Sequence, residues 1–438
     1  LPGRSGSAYS ETSLLSYAAR VNYSYLGKYL ATATIRYDGS SKLADKWDAF
    51  PSFALAWRLS EEDFMTGANW LSNLKLRLSY GYTGNNYGVN PFGTQLTPKY
   101  GSLVYYDYSG NVVSGFAPGD PVNVALAWEK TREYNIGLDY GFLNNRINGT
   151  IDWYDKLSDG LLMPRLLAIE SGVVSMIDNI GSVSNKGIEI GLNTVNINTR
   201  ELQWTTNFTY SRNKNAIVSL YGEKKDVVGE RRFIGQPINV IYDYVFDGVW
   251  TPDAIAALPA ARVTGYQAVE GRAIARDLND DGFITADEDM AVLGSPDPKW
   301  IGSFSSNLNY KNFDFSFNIF THQGVLVDSP FLREFGFVGD RGRSKINMDY
   351  YVPAGLPRFD ENLNWITTTG HYSQKYPAPG LAGPYYGSNA YYTDASFVKV
   401  KNITFGYTLP KELIERARIA SMRVYMNILN PFVWTDHE

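Results

Sequence analysis

The chain has 438 residues, 40 Lys and Arg against 45 Asp and Glu, a formal net charge of −5 and no Cys. Such a balance argues against a nucleic-acid binder, and the absence of Cys excludes disulfides and thiolate chemistry. Aromatic residues are abundant (32 Tyr, 22 Phe, 10 Trp), yet no run approaches the roughly 20 consecutive apolar residues of a transmembrane helix.

From the N-terminus onward the apolar residues recur every second position. In 13–25, Tyr17, Ala19, Val21, Tyr23 and Tyr25 oppose Ala18, Arg20, Asn22 and Ser24. In 29–39, Ala31, Ala33, Ile35 and Tyr37 oppose Thr32, Thr34 and Arg36. Further strands are predicted at 50–59, 73–83 (Leu74, Leu76 and Leu78 against Lys75 and Arg77), 127–141 (Tyr134, Ile136, Leu138 and Tyr140 against Glu133, Asn135 and Asp139) and 146–156 (Ile151 and Trp153 against Asp152). The series continues at 184–197 (Ile188 and Ile190 against Glu189), 202–213, 298–310, 312–324, 394–409 and 419–430. Helical spacing is confined to 411–418, after Pro410.

A strand with one apolar face normally packs that face on a core, but about twelve such strands with no helical layer need another apolar partner. A lipid bilayer supplies it, so the pattern predicts an all-β fold, a transmembrane antiparallel β-barrel. Loop lengths agree. Turns near 26–28, 143–145, 198–201 and 311–312 are short, whereas connections near 84–126, 157–183, 213–297 and 325–392 are long, as when periplasmic turns alternate with extracellular loops. Segment 236–250 also looks extended, but counting it as a crossing puts the tight 311–312 turn at the long-loop end, so it is assigned to the 213–297 loop. With the apolar faces on lipid, the lumen-facing set is Arg20, Arg36, Lys75, Arg77, Glu133, Asp139, Asp152 and Glu189. Residues 1–7 have neither the basic nor the apolar region of a signal peptide, and the end at 430–438 follows a strand closely; the chain is expected to be a piece of a longer protein.

Three stretches carry a family resemblance. They are 15–60 (with Tyr37-Asp38-Gly39-Ser40-Ser41-Lys42-Leu43 and Phe50-Pro51-Ser52-Phe53-Ala54), 277–310 (an Asp-rich loop, then Gly294-Ser295-Pro296-Asp297-Pro298-Lys299 and a strand) and 396–410 (Ser396-Phe397-Val398-Lys399-Val400-Lys401-Asn402-Ile403-Thr404-Phe405-Gly406-Tyr407) with Arg423-Val424-Tyr425 after it. Together they resemble the barrel of the SusC/RagA family of TonB-dependent transporters. The resemblance implies a 22-stranded barrel with an N-terminal plug in the bacterial outer membrane, importing oligosaccharides or peptides through TonB beneath a SusD-like surface lipoprotein. On it, residues 1–438 are the C-terminal portion of the barrel, and the plug and TonB box lie outside this chain.

Residues 277–288 match the calcium-loop pattern Asp-x-Asn-x-Asp-Gly with Glu at position twelve. Calcium takes six to eight hard oxygen ligands, and the pattern offers Asp277, Asn279, Asp281, the Phe283 carbonyl, Thr285 and Glu288. The other reading is an acidic surface turn capped by Asp281-Gly282. With no flanking helices in the pattern, a bound calcium would stiffen a long loop rather than drive a switch. Two Tyr-rich loops offer contact surfaces for a ligand or a lid protein: Tyr100, Tyr105, Tyr106 and Tyr108, and Tyr372, Tyr376, Tyr385, Tyr386 and Tyr391. They read equally as loops packed on one another.

Catalytic patterns fail. His322, His371 and His437 stand singly, Glu61-Glu62 sits in a turn, and there is no Gly-x-Ser-x-Gly elbow, phosphate-binding loop or His pair with metal spacing. The Asn-x-Ser/Thr triplets at Asn22, Asn148, Asn207 and Asn402 fall inside predicted strands. Besides a TonB-dependent importer, the residues admit a passive porin or a secreted β-rich carbohydrate-binding or adhesion module. None is an enzyme.

Overall fold

The structure, a computed structural model, describes residues 9–95, 99–117, 122–168, 170, 175–332, 349–360, 362–379, 389–415 and 418–436. Twelve long strands form one sheet: β1 (Leu14–Tyr25), β2 (Tyr29–Ser40), β3 (Trp47–Arg58), β4 (Leu71–Asn85), β5 (Glu129–Phe142), β6 (Ile147–Asp159), β7 (Ser182–Asn198), β8 (Leu202–Ser219), β9 (Trp300–Tyr310), β10 (Phe313–Gln323), β11 (Phe397–Thr408) and β12 (Arg423–Thr435). Each is bonded to its neighbours in sequence, a meander with no crossover. Pairing is antiparallel throughout β1 to β8. These twelve are the predicted strands, in order. Among the described residues no helix is long and apolar enough to cross a membrane.

The register shows why period two suffices. Leu76, Leu138, Ile151, Ile190 and Tyr210 form one row across β4, β5, β6, β7 and β8. The next row is Leu78, Ile136, Trp153, Ile188 and Arg212, and the one beyond it Tyr80, Tyr134, Asp155, Lys186 and Lys214. A slip of one residue would invert every row, so the apolar face locks the register. These apolar side chains stay solvent-exposed: Leu55 is 57% exposed, Ile136 46% and Trp153 43%. A sheet that buries no core on its apolar face needs an apolar surrounding.

Aromatic rings gather at both ends of the strands. Trp47 stacks on Tyr37 and Tyr17 with ring centres 5.1 and 6.0 Å away, at the end joined by the long loops. At the other end Trp57 stacks on Tyr29 at 6.3 Å and Trp70 on Phe142 at 5.6 Å. There Glu62 ties turns together, accepting hydrogen bonds from the Tyr29 hydroxyl (2.6 Å), the Trp57 indole (2.8 Å) and Lys28 Nζ (3.3 Å). The Tyr29 bond, chiefly, and the Trp57 bond hold its carboxyl below the usual range.

The chain divides into two compact units, Leu1–Ile238 with Gly302–Ile319 and Val400–Pro431, and Asn239–Ile301 with Phe320–Lys399 and Phe432–Glu438. In the first unit, Leu43, Phe50, Val89, Leu126 and Trp128 form a buried cluster among the loops. The second has its own core of Tyr244, Ala273, Ala275, Leu332, Tyr376, Ala390 and Tyr391. Segment 236–250 lies outside the sheet, as predicted: Ile241–Tyr244 pairs with Met290–Gly294, and Phe246–Val249 with Ala273–Ala275. Two short helices, Pro252–Ala256 and Ala260–Gly265, are absent from the sequence reading. Pro252 and the Thr251 hydroxyl, which accepts from Ala254 N at 3.2 Å, start the first.

Candidate functional site

The polar face of the sheet carries ion pairs on β2 and from β4 to β6. Arg77 on β4 donates from Nε to Asp139 Oδ1 on β5 (2.8 Å) and from Nη2 to Asp152 Oδ2 on β6 (3.0 Å). Lys75 reaches Asp139 Oδ2 at 3.2 Å. Asp152 stands two strands from Arg77, and the residue between them in register is Gly137. A Cβ at Gly137 would lie 2.6 Å from both Arg77 Cζ and Asp152 Oδ1, so only glycine leaves the guanidinium its path. The sequence reading missed a second copy of this device. Arg423 on β12 donates to both oxygens of Asp314 on β10 (2.9 and 2.6 Å), and a Cβ on Gly406 of β11 would stand 2.5 Å from the guanidinium. Bidentate guanidinium–carboxylate pairs of this kind are the strong members of their class.

The rest of the predicted lumenal set has simpler partners. Arg20 donates to Thr34 Oγ1 (3.1 Å), Arg36 to Asp38 (2.7 Å), and Glu133 pairs with Lys156 (3.3 Å). Glu189 lies on the same face, opposite Asp152 and Ser211. Toward β8 the wall turns neutral, with an amide ladder in which Asn207 donates to Asn193 (2.6 Å) and Asn193 to Asn148 (3.3 Å).

The 277–288 loop belongs to the second unit and is organised by its own side chains. Asp277 accepts from the N–H groups of Asp280 (2.6 Å) and Gly282 (2.8 Å) and from the Tyr266 hydroxyl (3.0 Å). Burial pushes the Asp277 carboxyl up, but these bonds outweigh it and hold it below its ordinary value. Asn279 accepts from Asp281 N (3.2 Å) and donates to Asp281 Oδ2 (3.3 Å) and Glu288 Oε2 (3.1 Å), so a neutral amide bridges two carboxylates. Asp281 Oδ1 accepts from Phe283 N at 2.8 Å, and Thr285 N donates to Asp289 at 2.7 Å. Among the described residues no three acidic or His side chains converge as a metal cage. It is the Asn279 amide nitrogen that is turned toward Asp281 and Glu288, while its oxygen accepts from Asp281 N. Asp289, one position past the motif and fully buried, also accepts from Leu278 N at 2.8 Å and pins the loop's two ends together. Sequence reasoning missed it because the motif ends at Glu288.

The Tyr-rich stretches divide. Residues 99–108 form a hairpin with 111–117 in which Tyr100 pairs in backbone register with Phe116 and Tyr105 with Ser114, while Tyr106 and Tyr108 are exposed. Tyr372 is exposed and stacks on the buried Tyr351 at 5.3 Å. Tyr351 donates to Glu270 (2.9 Å), and burial, with that bond, raises its pKa. Tyr376 and Tyr391 depart from expectation. They are 9% and 3% exposed, stacked on each other at 5.9 Å inside the second unit's core, so they pack the loops instead of offering a contact surface. Tyr385 and Tyr386 lie outside the described residues. His371 Nε2 lies 2.6 Å from Asp349 Oδ1, a contact that keeps the Asp349 carboxyl below its usual value.

A family profile described as TonB dependent receptor-like, beta-barrel, matches residues 2–430. TonB-dependent receptor P3 of Formosa agariphila is 32% identical over 451 residues, covering 98% of this chain and 42% of that protein. TonB-dependent receptor SusC of Bacteroides thetaiotaomicron is 31% identical over 459 residues, covering 99% of this chain and 42% of its own length. The chain thus spans less than half of these relatives. The solved structure of the RagAB peptide transporter superposes with a TM-score of 0.77 at 21% identity, over 100% of this chain and 46% of that one, a likeness of fold.

Proposed function

The chain belongs to the TonB-dependent receptor-like β-barrel family, and on that premise we propose that it is the C-terminal portion of the barrel of an outer-membrane importer of the SusC/RagA kind. The observation that carries this reading is the division of one continuous sheet into an exposed apolar face and a face laced with ion pairs. In this reading the strands cross the outer membrane, the long connections face outward, and the ion-paired face lines a lumen. Charges of both signs there suit a wall packed against a plug through contacts that rearrange. Oligosaccharides or peptides are the substrates, TonB supplies the energy through the plug, and a SusD-like surface lipoprotein closes the outer end. Supporting this, one relative is a receptor named SusC and one structural neighbour is a peptide transporter.

Cells carrying the full-length receptor are expected to take up a labelled oligosaccharide or peptide mixture, and a protonophore that collapses the inner-membrane potential abolishes that uptake. Uptake that survives the protonophore identifies a passive porin. Extraction into aqueous buffer without detergent identifies a secreted module.

The loop 277–288 is read as a calcium loop on the same footing. Asp277, Asn279, Asp281, Glu288, the Phe283 carbonyl and Thr285 would hold the ion, which would supply a fixed double positive charge that stiffens the loop. The support is the twelve-residue spacing together with the turn of Asn279, Asp281 and Glu288 toward one another. Titration calorimetry of the full-length receptor with calcium is expected to give one saturable site that is lost in Asp281→Ala; no heat in the wild type sinks the assignment.

A further inference from the structure

The two ends of the apolar face differ in charge. At the short-turn end the last rows are Leu74, Tyr140, Gly149, Leu192 and Phe208, then Phe142, Ile147, Thr194 and Thr206, without a charged side chain. At the long-loop end, Arg212 follows Ile188 in its row and Lys186 and Lys214 stand side by side in the next. One carboxylate answers these three cations, Asp155, 2.8 Å from Lys186. Arg212 and Lys214 are exposed, and among the described residues neither has an ion pair or side-chain hydrogen bond. They lie on the lipid side of the sheet, where a cation is tolerated only near the interface.

Directly beside this row the apolar face is concave. A groove of about 450 Å³ is lined by Leu55, Leu78, Tyr134, Ile136 and Trp153, and Asp155 closes its charged end. It spans two rows, Leu55, Leu78, Ile136 and Trp153, then Tyr80, Tyr134 and Asp155, and the second continues into Lys186 and Lys214. An open apolar groove whose outer row runs into excess positive charge has the two halves of an anionic lipid site.

We propose that the outward face of β3 to β8 binds a phosphate-bearing lipid of the outer leaflet, its acyl chain along the Leu55–Trp153 groove and its phosphate on Lys186, Arg212 and Lys214. Asp155 sets the position of Lys186 so that its ammonium points along the row. The site rests on the membrane-barrel reading above. It differs from the lumen in ligand and in face, and no residue is shared between them.

The test uses the full-length receptor in nanodiscs of phosphatidylcholine doped with monophosphoryl lipid A, or with the same lipid dephosphorylated. Native mass spectrometry is expected to show retention of the phosphorylated lipid only, with about fivefold weaker retention for each cation removed in Lys186→Gln, Arg212→Gln and Lys214→Gln. Lys186→Arg/Lys214→Arg keeps the charge and retains the lipid, which separates binding from folding. Equal retention of both lipids, or undiminished retention by the triple Gln variant, overturns the proposal. Displacement by inorganic phosphate alone, with the acyl groove irrelevant, overturns it too. A receptor that fails to enter nanodiscs refutes the membrane reading itself, a distinct outcome.

Discussion

Gly137→Val is expected to lower the stability of the folded receptor by about 1–3 kcal/mol, without a clash against any backbone. The added side chain stands where the Arg77 guanidinium now passes, 2.6 Å from both Arg77 Cζ and Asp152 Oδ1. Arg77 must withdraw, and Asp139 and Asp152, each about one-fifth exposed, lose the cation between them. Asp139 keeps Lys75 at 3.2 Å, whereas Asp152 loses its ion pair, and a largely buried carboxylate without a partner is the costly outcome. The measurement is the heat-modifiable gel shift of the full-length receptor, whose midpoint falls in the variant. Arg77→Gln alone gives part of the loss, and Gly137→Val added to Arg77→Gln costs little more, because the two changes break one interaction. Full additivity of the pair would show that Gly137 acts through something other than the Arg77 path.

Leu138→Arg is expected to cost about 2–4 kcal/mol in the bilayer, whereas Asn135→Arg costs almost nothing. Leu138 lies mid-row between Leu76 and Ile151, with apolar rows on both sides, so an added guanidinium there has no interface within reach. Asn135, three positions away on the opposite face, faces Tyr154 and Ser79. Folding yields into lipid vesicles, compared across urea, measure both. Equal costs at the two positions would remove the assignment of the apolar face to lipid.

Much of the fold was legible because each strand meets two different solvents, and the alternation writes that difference into every second residue. Tyr134 to Tyr140 against Glu133 to Asp139 is enough to fix a face. The 236–250 segment was legible by elimination, since a crossing there breaks the sorting of turns by end. The helices at 252–256 and 260–265 were not, being too short for a period to show and held by contacts such as Tyr266 to Asp277. Tyr376 and Tyr391 were left between two readings for a related reason: a Tyr ring with a polar tip reads the same whether it stacks in a loop core or on a partner. Arg77, Asp139 and Asp152 were each legible as members of the polar face, but their union across Gly137 needed the register, which composition does not carry. Arg423 and Asp314 stand 109 residues apart and left no local signal.

The arginines that cross a glycine also change how this wall comes apart. A sheet held only by neighbouring ladders unzips from its edge, one strand at a time, each step independent of the next. Where Arg77 fastens β4 to β6, and Arg423 fastens β12 to β10, the strand between is trapped under a strap. Removing an outer strand then means breaking its ladder and its strap together, so tension along the wall is shared by three strands and the weakest link is moved away from those seams.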